Sequence, residues 1–197
     1  MSNLDPRTGK PKIILHLFAD KGTDSFFYSQ NYYDVRLITK EIGIENYHAP
    51  ENVYGIIANP VCTMLSRARS NAKIPRDLKQ GIFFVDEVQR ILRECLFRVS
   101  GINHPRRPVK FWMIENPGTG YLPWFLGKPV FSYHPYEYGE NYSKETALWG
   151  YFNLPMRPTL FNQIEKKNSV NYRHGIKKKD RSNCPVNFAM AFYEANQ

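Results

Sequence analysis

Ile13-Ile14-Leu15-His16-Leu17-Phe18, followed at once by Ala19-Asp20-Lys21-Gly22-Thr23, is the stretch on which the fold turns. The apolar run is too short for an amphipathic helix, and the polar, glycine-containing residues behind it are turn chemistry. The pair therefore predicts a buried strand over 13–18 that empties into a loop. Working outward, a short helix is expected from about Asp24 to Asn31, a period-two strand over 34–39 and an apolar strand over 53–58. From Pro75 onward Leu78, Ile82, Val85, Val88, Leu92, Cys95 and Val99 recur at steps of three and four, the stripe of a long amphipathic helix over about 76–99. Another apolar strand is expected over 109–114. Strands alternating with helical stripes predict an α/β fold built on a single, mostly parallel sheet flanked by helices.

Beyond Pro117 the pattern changes to aromatic segments broken by glycine and proline. Trp124–Leu126 and Val130–Tyr133 read as loops and later strands, and Ala147–Phe152 as an antiparallel edge strand. The polar, lysine-rich stretch 164–183 reads as an exposed basic segment with partial disorder, and Val186–Tyr193 as a closing helix.

With 197 residues, 42% of them hydrophobic, the chain reads as one domain spanning 1–197 that needs no covalent staple. Three cysteines without a Cys-x-x-Cys pair argue against a disulfide scaffold or thiolate zinc site, and the five histidines lack ligand spacing, so no metal is expected. The chain has no run of 18 apolar residues, and Met1–Lys12 lacks the apolar centre of a signal peptide. A soluble cytoplasmic protein with no membrane partner is the expectation.

The net charge of +9 is unevenly distributed: residues 61–110 carry 11 basic and 4 acidic side chains, and residues 161–197 carry 7 and 3. Grouped Lys and Arg suit a polyanion, because neutralising adjacent phosphates releases counterions; a solvated basic surface is the plainer alternative. Arg67, Arg69, Lys73, Arg76, Lys144, Lys177, Lys178 and Lys179 are the residues expected to contact phosphate.

In an open parallel sheet, ligands gather at the carboxyl ends of the strands. Three such ends carry polar residues: Phe18-Ala19-Asp20-Lys21-Gly22, Ala58-Asn59-Pro60-Val61-Cys62-Thr63 and Ile114-Glu115-Asn116-Pro117-Gly118. Taken singly, Cys62 fits a small apolar residue and Glu115 a loop cap. Together, a thiol and a carboxyl on neighbouring strand tips can address one substrate from two sides.

Leu15 to Gly22, Asn59 to Ala68 and Trp112 to Gly118, with Tyr138 to Gly150 and the closing Cys184 to Phe192, resemble in order and spacing the cytosine-5 DNA methyltransferases, most closely the short phage-type members. The resemblance covers roughly residues 13–195. It implies a Rossmann-like class I methyltransferase fold, S-adenosylmethionine as cofactor, DNA as partner and, for a phage protein, the host cytoplasm as location. By position it implies Cys62 as the nucleophile on carbon 6 of an extruded cytosine and Glu115 as the group holding the ring. It also implies Phe18, Asp20, Lys21, Gly22, Thr23 and Asn59 as cofactor-binding residues. The chain departs from the family pattern at His16, where an aspartate is expected, at Asp20, where a glycine is expected, and at Val61 in place of a proline. Near the end of a third strand, Gly43 stands where an acidic residue is expected, with Glu45 close by, and neither an arginine-rich motif nor a separate target-recognition domain is evident. An active methyltransferase and a catalytically inactive descendant that binds nucleic acid or serves a structural role both remain open, as does a small-molecule enzyme using another cofactor. No Gly-x-Gly-x-x-Gly or phosphate loop supports the last.

Overall fold

Leu15 and Leu17 point to one side of strand β1 (Ile13–Leu17) and Ile14 to the other, and all three are wholly buried. A strand with both faces buried must be covered by helices on both sides, and that requirement sets the layers. The computed structural model describes residues 3–6, 8–67, 72–97, 109–158 and 183–197. In chain order the elements are β1, a 3-10 turn at Thr23–Ser25 running into helix α1 (Phe26–Gln30), β2 (Asp34–Ile38), β3 (Val53–Ala58), helix α2 (Leu78–Phe97), β4 (Phe111–Pro117), helix α3 (Pro123–Leu126), β5 (Phe131–Tyr133), β6 (Thr146–Tyr151) and helix α4 (Val186–Ala195).

The strands form one six-stranded mixed sheet in the order β2-β1-β3-β4-β6-β5. The first four are parallel, and β6 runs against both β4 and β5. On one face Leu15, Leu17, Ile56, Ala58 and Ile114 meet Val85, Val88, Ile91 and Leu92 of α2. On the other, Ile14, Ile57, Phe111 and Met113 meet Tyr28 of α1 and Phe188 and Phe192 of α4. Each fully buried large apolar side chain contributes roughly 1.5–3 kcal/mol to this packing. No helix among the described residues is long and apolar enough to cross a membrane.

The structure corrects the sequence reading in four places. The sheet is mixed, and its one reversed strand, β6, is not an edge but is inserted between β4 and β5. Glu115 lies inside β4 rather than on the loop after it, since β6 supplies partners through Asn116 and Pro117. Trp124–Leu126 is a turn of helix that starts at Pro123. The long helix begins at Leu78, with Asp77 Oδ1 accepting the Gln80 backbone N–H at 2.9 Å as its cap. The expected basic segment falls outside the described residues except for Asn183.

Gly55 on β3 is fixed by packing against β4. A Cβ there would stand 2.2 Å from Phe111 Cζ, inside a ring that stacks on Tyr28 at 5.5 Å. Gly55→Ala is expected to cost about 1–3 kcal/mol through overpacking, a fall in thermal midpoint of at least about 2 °C. The smaller side chain of a second change, Phe111→Leu, should return part of that loss. A Gly55→Ala chain that melts with the native one would show that this contact does not constrain β3.

Candidate active site

The sheet order reverses at β1, which has β2 on one side and β3 on the other. Loops leaving such neighbours diverge and leave a crevice at the strand ends. A cavity of about 230 Å³ lies there, lined by Phe18, Asp20, Lys21, Gly22 and Thr23 after β1, by Asn59 and Cys62 after β3, and by Glu115 and Lys144. A larger cavity of about 570 Å³ adjoins it, sharing Phe18, Asp20, Asn59 and Val61, and is walled by Ile38, Ile44 and Phe84 with Thr39, Glu41 and Glu45 on its polar side. Cys62 and Glu115, far apart in sequence, therefore face one space. Neighbouring strands bring them there, because Ala58 pairs with Ile114 and so sets Asn59 and Glu115 side by side.

A chain of hydrogen bonds through the buried end of β1 holds this floor. Asn59 Nδ2 donates to Asp24 Oδ1 at 3.4 Å and to Glu115 Oε2 at 3.3 Å, which turns Asn59 Oδ1 toward His16 Nε2 at 3.0 Å. Because that oxygen only accepts, Nε2 carries the hydrogen, and in the neutral ring Nδ1 accepts from the Ser25 hydroxyl at 2.9 Å. A charged ring would instead donate from Nδ1 and send the Ser25 proton to the Gly22 carbonyl, 3.2 Å away. Only 1% of His16 is exposed, and burial lowers its pKa below 6.5 despite the opposing pull of Asp24 and Asn59.

Glu115 shifts the other way. Burial raises its pKa; Lys144 opposes the rise, the Asp24 charge adds to it, and the Asn59 hydrogen bond opposes it. Cys184 lines a small adjoining pocket with Asp24, Glu115 and Lys144, and burial followed by the Asp24 charge pushes its thiol well up. Cys62 is part-buried and outside any disulfide, and its carbonyl accepts the Leu65 and Ser66 N–H groups at 2.9 and 2.8 Å in a tight turn.

The residues expected to meet phosphate separate. Arg67 and Lys73 are exposed. Arg76 donates to the carbonyls of Met64 and Ser66 and lies over the Tyr121 ring at 4.7 Å, so its guanidinium is already engaged within the protein. Lys144 lines the cavity beside Glu115. Arg69, Lys177, Lys178 and Lys179 lie outside the described residues. Three participants escaped the sequence reading. The sequence places His16 inside the first strand, Asp24 at the start of the first helix and Cys184 in the closing stretch, and assigns none of them to the site. A single imidazole within an otherwise apolar strand was the one available signal, since its two nitrogens must find partners. Among the described residues no cluster of three or more His, Cys, Asp or Glu side chains could hold a metal ion.

The chain matches no protein-family model and no curated protein.

Linkage gives these shifts opposite signatures. His16 binds its proton less readily folded than unfolded, so the stability it contributes is complete above about pH 6.5 and is lost as pH falls below it. Glu115 binds its proton more readily folded, so it favours the fold at low pH and opposes it once ionised. Thermal melts of Glu115→Gln are expected to exceed those of the native chain at pH 7, with the gap closing toward pH 4.5. His16→Gln should flatten the native loss of stability on acidification below pH 6.5. Parallel pH profiles for native and variant chains would refute these assignments.

Proposed function

We propose that the chain is a methyltransferase of the Rossmann-like class I fold that acts on cytosine in nucleic acid and takes its methyl group from S-adenosylmethionine. The observation that carries this reading is the shared cavity. A thiol after β3 and a carboxyl on β4 face one space, which adjoins a larger, mainly apolar cavity at the switch in strand order. The larger cavity fits a nucleoside. Phe18, Ile38, Ile44 and Phe84 give apolar walls for a planar base, and Glu41 and Glu45 stand after β2, where an acidic side chain can accept from ribose hydroxyls. The Lys21–Thr23 loop lines the smaller cavity, where the amino-acid end would rest. S-adenosylmethionine, when bound, supplies an electrophilic methyl group.

The protein's own residues supply the rest. The Cys62 thiolate adds to carbon 6 of a cytosine extruded from its stack, and the electron pair it displaces makes carbon 5 nucleophilic. Glu115 holds the ring, with its raised pKa letting it keep a proton at the ring nitrogen as negative charge develops there. Asn59 fixes one Glu115 oxygen at 3.3 Å and leaves the other for the substrate. Once carbon 5 is substituted, a solvent base takes its proton, and the electron pair left behind expels the thiolate and restores the ring.

One observation favours a second reading. Asp20 is exposed and lines both cavities where they meet, which sets a carboxylate on the approach of a carboxylate-bearing cofactor. In that reading the chain is an inactive descendant that keeps the cleft and binds nucleic acid.

Calorimetry with S-adenosylmethionine and S-adenosylhomocysteine separates the two. Native binding is expected to be weak, and Asp20→Gly should strengthen it, since bulk and like charge leave together. Transfer of labelled methyl to cytosine should vanish in Cys62→Ala and fall by about 10²–10⁴-fold in Glu115→Gln. Transfer that survives Cys62→Ala would sink the mechanism. No cofactor binding by either form, with nucleic-acid affinity unchanged in Cys62→Ala, would establish the inactive descendant.

A further inference from the structure

Just past the segment that fastens the Cys62 turn through Gly120 and Tyr121, α3 presents an aromatic surface that the proposed chemistry does not use. Leu122 is wholly buried and anchors the turn, while Trp124 is 76% and Phe125 50% exposed. Isolated exposed aromatics are ordinary, but Trp124 extends an ordered cluster. The Arg76 guanidinium lies over the Tyr121 ring at 4.7 Å, and Tyr121 meets Trp124 edge to face at 5.3 Å. The far end of α3 is held as well, since the Trp149 indole N–H donates to the Gly127 carbonyl at 2.9 Å. Trp124 is therefore set on a rigid base, with its outer surface open.

The surroundings are basic. Exposed Arg67 has its backbone N–H bonded to the Thr119 carbonyl at 3.2 Å, exposed Lys73 precedes the anchored Arg76 by three residues, and exposed Lys128 follows α3 directly. Glu145 packs near Gly118, on the segment that leads into α3. An indole amid cations is the pairing that binds unpaired nucleic acid, with ring faces taking bases and cations taking phosphates. Duplex offers no such faces, because its bases already stack on one another.

We infer that Trp124 and Phe125 form a stacking platform for unpaired bases of a nucleic-acid strand whose phosphates are met by Arg67, Lys73 and Lys128. This inference rests on the nucleic-acid reading above and narrows it to strands with unpaired bases beside the cleft. Phe125 and Trp124 hold flanking nucleotides while Cys62, on the loop tied to this segment, addresses the target.

The test uses the full chain and fluorescence anisotropy with a labelled oligothymidine of about 12 nucleotides, within the span of one binding groove. An abasic strand of equal length and a blunt duplex serve as comparisons. Oligothymidine should bind more tightly than the abasic strand. Trp124→Ala should weaken oligothymidine binding roughly tenfold or more and leave the abasic strand unchanged, as expected for loss of one stacked base. Trp124→Phe, which keeps a ring, should recover most of the affinity and also guards against a folding defect in the alanine variant. Equal losses on both strands, or no loss, would overturn the platform while leaving methyl transfer to be judged by the Cys62 variants. Binding to none of the three polymers would overturn both the platform and the nucleic-acid partner. Trp124-dependent binding to anionic phospholipid vesicles without binding to oligothymidine would assign the surface to membranes instead.

Discussion

An imidazole buried in the centre of a sheet is tolerated only if both nitrogens are partnered, and the rest of the site follows from how His16 meets that demand. An unsatisfied buried polar group costs on the order of 1–3 kcal/mol, comparable to a sizeable part of a domain's net stability. Ser25, at the end of the 3-10 turn after β1, satisfies one nitrogen, and Asn59, just past β3, satisfies the other. Both partners come from the loops that line the cleft. Satisfying one core residue therefore fixes where those loops leave the sheet. It also fixes the Asn59 amide, whose nitrogen can only turn toward Asp24 and Glu115.

That orientation places two carboxylates around one amide donor. The Asp24 charge works against ionisation of the Glu115 carboxyl. Glu115 is shifted upward, with burial the leading cause, while the nearby Lys144 ammonium does not fully offset it. The consequence is a carboxyl able to retain a proton inside a cleft that also holds a thiol. Such a carboxyl gives up its proton less readily than a fully solvated glutamate would.

Much of this was readable from sequence, and the parts that were not share a cause. β1, β2, β3 and α2 announce themselves because their apolar spacing is local: Leu78 through Cys95 keep one helical stripe, and Ile13 to Leu17 are too short and too apolar for anything but a buried strand. β4 runs past the 109–114 that its local apolar pattern predicts, because Glu115–Pro117 become strand only through pairing with β6, which lies far along the chain. The same non-local pairing moved Glu115 from a loop into the sheet, and it put β6 between two strands where its aromatic sequence suggested an edge. Arg76 carried a charge and so read as a phosphate contact, but its Tyr121 partner and two carbonyl acceptors are visible only in three dimensions. Asp24 sits in a polar turn that looks like solvent-facing sequence, and only the convergence of β1 and β3 turns it inward toward Asn59.

Cys62 needs more than a strand end to hold it against Glu115. Its turn is fastened sideways to the segment after β4: Ser66 forms a bridge with Gly120, Arg67 N–H bonds the Thr119 carbonyl at 3.2 Å, and Tyr121 N–H bonds the Leu65 carbonyl at 2.9 Å. Gly120 is required for this approach, since a Cβ there would lie 2.9 Å from the Leu65 carbonyl oxygen. Arg76 adds a second fastening from the segment before α2 through the Met64 and Ser66 carbonyls. The loop bearing the thiol is thus tied to the strand bearing the carboxyl by backbone hydrogen bonds, which position atoms more tightly than long side chains can. The ladder that sets Cys62 also carries Tyr121 and, through it, Trp124. The exposed aromatic pair and the Cys62 turn therefore share one hydrogen-bonded ladder, whose backbone contacts set the spacing between them.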